Sequence, residues 1–219
     1  MGTDNLFHKR KKRKAKSLRR RPPSITPYDV VLIACEGKET EPNYFTELKQ
    51  AFRLNNANIR VYGRGVDPLN LVNFAIQTYR KEPDFNRIYC VFDQDRHKTY
   101  SDALEKIRRT RLKVGDRIFA VPSVPCFEFW ILLHFTYTTR PFDAPAGGSI
   151  CQQVIRRLEK YLPGYQKNDR RIFGQTQCYL DIAITRARQV KRFHETSGTD
   201  NPSTEIHHLV EYLRGLKKR

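Results

Sequence analysis

Between residues 28 and 121, short apolar runs alternate with segments of helical periodicity, and this alternation limits the fold more than any other feature. Residues 28–35, 59–62, 87–92 and 117–121 read as strands. Between them, residues 41–53, 68–79 and 101–109 read as helices. The first of these has Tyr44, Phe45, Leu48 and Phe52 at helical spacing. The third starts at Ser101, with Glu105 near the capping-box position. Strands separated by helices pair in parallel through right-handed crossovers. The expected fold class is therefore α/β, a Rossmann-like parallel sheet flanked by helices. In such sheets ligands bind at the carboxyl ends of the strands.

After residue 121, Pro122 and Pro125 are expected to break the chain. Residues 126–135, CFEFWILLHF, are apolar on nearly every face and read as a buried helix. Residues 136–149 are loop, and additional C-terminal helices are expected over 150–162, 178–194 and 204–216. One domain of residues 27–219, with a helical part from about residue 136, fits the length.

Charge speaks to partners. The chain has 41 Lys and Arg against 23 Asp and Glu, a formal +18. Ten basic residues lie between Lys9 and Arg21 with no acid among them, and Pro22-Pro23 follows. Residues 1–26 are expected to be a disordered basic arm. Without residues 1–28 the balance is still 31 basic to 22 acidic, or +9. A basic chain of this kind favours nucleic acid as partner. Candidate contacts are Lys9, Arg10, Lys11, Lys12, Arg13, Lys14, Arg19, Arg20 and Arg21 in the arm. Lys38, Arg96, His97 and Lys167 are the candidates beyond it. The five cysteines form no C-x-x-C pair, so a zinc site is not expected. Cys35 and Cys90 fit small buried hydrophobes in a reducing compartment. No signal peptide or membrane-spanning run is read, and a cytoplasmic location is expected.

Against this basic background, two apolar runs end in acids. Glu36 follows the first strand, and Asp93-Gln94-Asp95 follows the third. On extended backbone, residues i and i+2 share a face, so Asp93 and Asp95 are able to converge on one cation. Magnesium takes oxygen ligands and keeps several waters, so one or two carboxylates and a substrate phosphate suffice. Mn2+ has the same donor preference. Glu36 either joins the metal ligands or handles protons. Glu39 and Glu41 read as first-turn acids favoured by the helix dipole, with Thr40 as N-cap. Glu128, alone in an apolar helix, requires a cation, a basic partner or a proton. His97 lies near the acids, His134 reads as a packed helix residue, and Lys167, after the Pro163-Gly164 turn, reads either as an ordinary surface lysine or as a group that stabilises phosphate charge. The Gly37-Lys38 pair does not make a nucleotide loop, because position 32 is Leu and Lys38 is followed by Glu39. No ATP site is expected.

The order Cys35-Glu36-Gly37-x-x-Thr40-Glu41, Phe92-Asp93-x-Asp95 and Pro125-x-Phe127-Glu128-x-Trp130-x-Leu132-Leu133-His134-Phe135 resembles the RloB-like family. The closing Asn201-Pro202-Ser203-Thr204 segment is similar to that family too. The resemblance implies membership of the wider Toprim superfamily, which includes topoisomerases, primases and overcoming-lysogenization-defect nucleases. It implies an acid after strand one and a D-x-D after a later strand, positions matched by Glu36, Asp93 and Asp95. It also implies bacterial antiviral defence beside a partner ATPase. Many Toprim proteins carry a third acid after D-x-D, where this chain has His97, and Glu128 is the candidate replacement.

The expected function is a Mg2+-dependent nuclease acting on RNA or DNA, with Glu36, Asp93, Asp95 and Glu128 as catalytic residues and the first three as metal ligands. No tyrosine stands out as a strand-transfer nucleophile. A non-catalytic nucleic-acid-binding or effector subunit and a primase-like nucleotidyltransferase remain alternatives, and an oligomer is possible.

Overall fold

The structure, a computed structural model, describes residues 29–54, 59–94, 98–143 and 148–216. The basic arm and the triplet Asp95-Arg96-His97 lie outside the described residues.

The alternating half folds as expected. Strands β1 (Val31–Cys35), β2 (Ile59–Gly63), β3 (Arg87–Asp93) and β4 (Arg117–Val124) alternate with helices α1 (Thr40–Ala51), α2 (Pro68–Lys81) and α3 (Tyr100–Arg109). The sheet order is β2-β1-β3-β4-β5, with β1 to β4 parallel. All five residues of β1 are buried, as a central parallel strand covered on both faces requires. Its side chains alternate between two cores. Val31, Ile33 and Cys35 join Tyr44, Phe45 and Leu48 of α1, with the C-terminal helices, on one face. Leu32 and Ala34 meet Leu71, Val72 and Ala75 of α2, and Ala103 of α3, on the other. The chain thus leaves β1 and β2 toward opposite faces, and the strand order reverses between β1 and β3. A crevice opens at such a reversal, outside the carboxyl ends of the strands.

The C-terminal half corrects several expectations. Pro122 does not break the chain; β4 runs through it to Val124. Proline is tolerated there because the strand has only a short neighbour on that side. That neighbour, antiparallel to β4, is β5 (Ser203–Thr204), whose second residue was expected to open a helix. The helix expected at 126–135 is shorter, α4 (Glu128–Leu133), though fully buried. It is followed by α5 (Ile150–Leu158), α6 (Ile172–Thr176), a 3-10 turn over Gln177–Tyr179, α7 (Leu180–Ser197) and α8 (Ile206–Gly215). No helix was expected at α6. At α3 the N-cap is Thr99 rather than Ser101, and Glu105 pairs with Arg108 and Arg109 instead of closing a capping box.

Cys126 and Cys151 form a disulfide, whereas Cys35 and Cys90 are buried free thiols. No helix among the described residues is long and apolar enough to cross a membrane.

Candidate functional site

At the crevice between β1 and β3, register places Cys35 beside Val91, so the residues beyond meet at the strand tips. The Glu36 amide donates to the Val91 carbonyl at 2.9 Å and continues the ladder by one residue. The Asp93 amide then donates to Glu36 Oε2 at 3.0 Å. The two acids that the sequence set 57 positions apart therefore touch.

Two further carboxylates close the site. Glu128, the first residue of α4, is 1 % exposed and points to the same cavity. Two neighbours hold it and a disulfide sulfur lies beside it. Lys167 Nζ lies 3.2 Å from its Oε1, Tyr165 Oη donates to Oε1 at 3.3 Å, and Cys151 Sγ lies 3.1 Å from Oε2. The fourth acid, Glu41, corrects the expectation of an exposed first-turn acid. It is buried, and its Oε1 accepts from the Gly37 amide at 3.2 Å. A Cβ at position 37 would collide with that carboxylate, so glycine is what lets Glu41 fold back over the loop. Gly63 is equally constrained, since a Cβ there would lie 2.8 Å from the Gly37 carbonyl oxygen. Thr40 is likewise not the N-cap of α1; Glu39 precedes the helix, and Thr40 Oγ1 donates to the Lys167 carbonyl at 2.7 Å. That bond ties the loop carrying Lys167 to the site.

The cavity holds about 460 Å³ and is lined by Glu36, Gly37, Lys38, Glu39, Thr40, Glu41, Asp93, Phe127, Glu128 and Lys167. Its charge balance is lopsided. Four inner carboxyl groups face Lys167, while Lys38 and Glu39 at the exposed mouth offset each other. Burial, then repulsion from Glu41, Glu128 and Glu36, pushes the Asp93 carboxyl well above its ordinary range. Burial, with Glu128 adding repulsion, raises Glu41 to about 7. Burial opposes the charge on Lys167, but Glu128 outweighs it and holds that ammonium above its usual value. Asp93 Oδ1 is buried with no hydrogen-bond partner among the described residues. Oxygen donors in excess of the local positive charge, one of them unsatisfied, fit a hard divalent cation.

The structure thus gathers Glu36, Asp93, Glu128, Lys38 and Lys167 around one cavity. His134 stands apart, packed against Trp130 with its Nδ1 3.1 Å from the Trp130 carbonyl oxygen. Sequence reasoning missed Glu41 and Tyr165. For Glu41, the signal was a glycine four residues before a first-turn acid. A second polar cluster, Glu205, His207 and His208, lies at the amino end of α8, but Lys191 Nζ already sits 2.8 Å from Glu205 Oε1. A helix amino end also disfavours a cation. A second cavity of about 460 Å³, beside the carboxyl ends of α2 and α3, is lined by Arg80, Lys106, Arg109, Arg111 and Lys113 with no carboxylate among the described residues, a lining that suits an anion better than a cation.

The family described as RloB-like protein matches residues 31–213 of this chain. No curated protein and no solved structure matches it.

Proposed function

The chain belongs to the RloB-like protein family, and from that premise we propose that it is a divalent-cation-dependent nuclease with a Toprim-type site, acting on RNA or DNA. The observation that carries the proposal is the convergence of Glu36, Glu41, Asp93 and Glu128 on one cavity at the strand-order reversal of a chain whose formal charge is +18.

Glu36 and Asp93 would hold Mg2+, or Mn2+ in its place, with Asp95 joining them on the strength of its spacing in the sequence. A bound divalent ion supplies charge for the scissile phosphate and acidifies water. The remaining work falls to the protein. Glu41, with a pKa near 7, is suited to take a proton from water at neutral pH or return one to a leaving oxygen. Lys167 offers an ammonium at the cavity wall, where a phosphate entering beside four carboxylates needs a positive contact. Glu128 fixes that ammonium at 3.2 Å, and Tyr165 fixes Glu128.

The family resemblance adds a setting. The enzyme would serve bacterial antiviral defence under the control of a partner ATPase.

The test is cleavage of labelled single-stranded and duplex RNA and DNA by the full chain, with Mg2+, Mn2+ or chelator. Cation-dependent cleavage that disappears in Glu36→Gln is the expected result. Binding without cleavage under every cation would replace this reading with that of a non-catalytic nucleic-acid-binding subunit.

A further inference from the structure

We propose that Cys126 and Cys151 are a redox-modifiable pair that tunes the cation affinity of the acidic cavity through Glu128, an inference that rests on the cation-site reading above. The two cysteines are 25 residues apart in sequence and are joined by a disulfide, with Cα atoms 5.8 Å apart. Both are buried, and both adjoin the site. Cys126 precedes Glu128 by two residues, and Cys151 is the second residue of α5. Cys151 Sγ lies 3.1 Å from Glu128 Oε2 and 3.8 Å from Lys167 Nζ. Cys151 Sγ thus sits between the Glu128 carboxylate and the Lys167 ammonium. The remaining cysteines lack this setting: Cys35 and Cys90 are buried in strands, and Cys178 is exposed.

The chemistry balances with a peroxide and a thiol reductant. Hydrogen peroxide accepts two electrons from the two thiols, the S–S bond forms as the O–O bond breaks, and two waters leave with the thiol protons. A dithiol reductant reverses the S–S bond, returning two electrons and two protons to the sulfurs and becoming a disulfide itself. In the dithiol form, the Cys151 S–H faces Glu128 Oε2 and donates to it. A cation must then compete with that donor for the oxygen. In the disulfide form no sulfur carries a proton, and Oε2 keeps its lone pairs for a cation. The oxidised chain therefore binds the cation more tightly.

The experiment uses the full chain carrying Cys178→Ser, so that the exposed thiol does not contribute. The protein is reduced with dithiothreitol or oxidised with hydrogen peroxide and then desalted. Free thiols are counted, and Mn2+ binding is followed by electron paramagnetic resonance of the free ion. Oxidation should lower the count from four thiols to two, with peptide mapping assigning the loss to Cys126 and Cys151. Mn2+ affinity should rise on the order of tenfold, the scale of one lost competing hydrogen bond. A further Cys151→Ser change should make the affinity the same after both treatments. A count that stays at four, or a disulfide that forms with no change in Mn2+ affinity, overturns the redox coupling and leaves the cation site standing. Absence of Mn2+ binding in both forms overturns the cation site, and the coupling with it.

Discussion

Asp93 carries the sharpest consequences at the scale of single residues. Its carboxyl is crowded by three others, and its Oδ1 lacks a partner among the described residues. Asp93→Asn should reduce cleavage by at least about a hundredfold, since even outer partners of a metal site are worth 10–100-fold. Without divalent ions the same change relieves repulsion and should raise the melting temperature, by about 2–4 °C for each kcal/mol relieved. A mutant that melts lower and cleaves normally would refute the placement of Asp93 in a strained acidic site.

Glu41 gives a pH test. Its carboxyl is raised from an ordinary 4.5 to about 7 in the folded chain, so between those values the native state binds more protons than the unfolded state. Its contribution is therefore neutral below about pH 4.5 and becomes increasingly destabilising up to about pH 7, on the order of 3 kcal/mol in all. Buried His134 and His207, each lowered to about 4, act in the opposite direction and cost stability as pH falls below 6.5. The profile of the wild type alone mixes these effects, whereas its difference from Glu41→Gln removes the histidines and leaves the glutamate with the carboxyl it repels, Asp93. In urea titrations with chelator, Glu41→Gln should match the wild type near pH 4.5 and exceed it at pH 8; a flat difference would mean that Glu41 is ordinarily ionised. The sequence carried only a weak signal for Glu41, because Gly37 permits the acid to fold back but does not require it, and a first-turn acid equally suits an exposed helix start.

At the scale of elements, an aromatic box holds α1 against the junction that carries Glu128. Tyr44 meets Phe127 at 5.5 Å and Phe173 at 5.2 Å between ring centroids, and Phe45 meets Phe127 at 6.1 Å. The rings meet edge to face, the arrangement their quadrupoles favour. Phe173 comes from α6, whose Phe173 amide also donates to Glu47 Oε2 of α1 at 2.8 Å. Phe173→Ala should cost about 3–5 kcal/mol by denaturant unfolding. It should also weaken cation binding, because Glu41 and Glu128 lose their common support; a stability loss with Mn2+ affinity intact would uncouple the box from the site. None of this was legible beforehand, since α6 has five residues including Gly174, too few for a periodic pattern. Likewise β5 has two residues and becomes a strand only because β4 lies beside it. What was legible is what periodicity and burial determine locally: β1 to β4, α1 to α3, and the strand tips bearing Glu36 and Asp93. Glu128 was recognisable as a buried charge needing a partner. That its partners are Lys167 and Tyr165 depends on a loop crossing 37 and more residues of chain, which no local signal encodes.

For the whole molecule, the central fact is charge of two signs kept apart. An acidic cavity repels a polyanion unless positive charge elsewhere recovers the loss. Among the described residues of the inner cavity, Lys167 does not balance four carboxylates, so affinity needs further positive charge. The sequence supplies two sources. One is the arm, ten basic residues from Lys9 to Arg21. The other is the basic cavity by α2 and α3, where Arg80 and Lys113 face solvent with no acid among the described lining residues. Each basic residue that neutralises a phosphate releases counterions, and the salt dependence of binding counts them. Deleting residues 1–26 should therefore flatten the plot of log affinity against log salt, by up to about 7 in slope if all ten residues engage a single strand. The truncated chain should still bind, because its charge remains positive. Adding Arg80→Glu and Lys113→Glu should lower the remaining slope by a further 1 to 2, roughly one for each phosphate no longer neutralised. With catalytic rates measured at saturating substrate, both changes should leave the rate nearly unaltered, since the proposed chemistry belongs to the cavity carboxylates and Lys167. An unchanged salt slope after truncation would remove the arm from the interface and leave the folded domain to supply the affinity, whereas a fall in the saturated rate would show that the arm reaches the cavity.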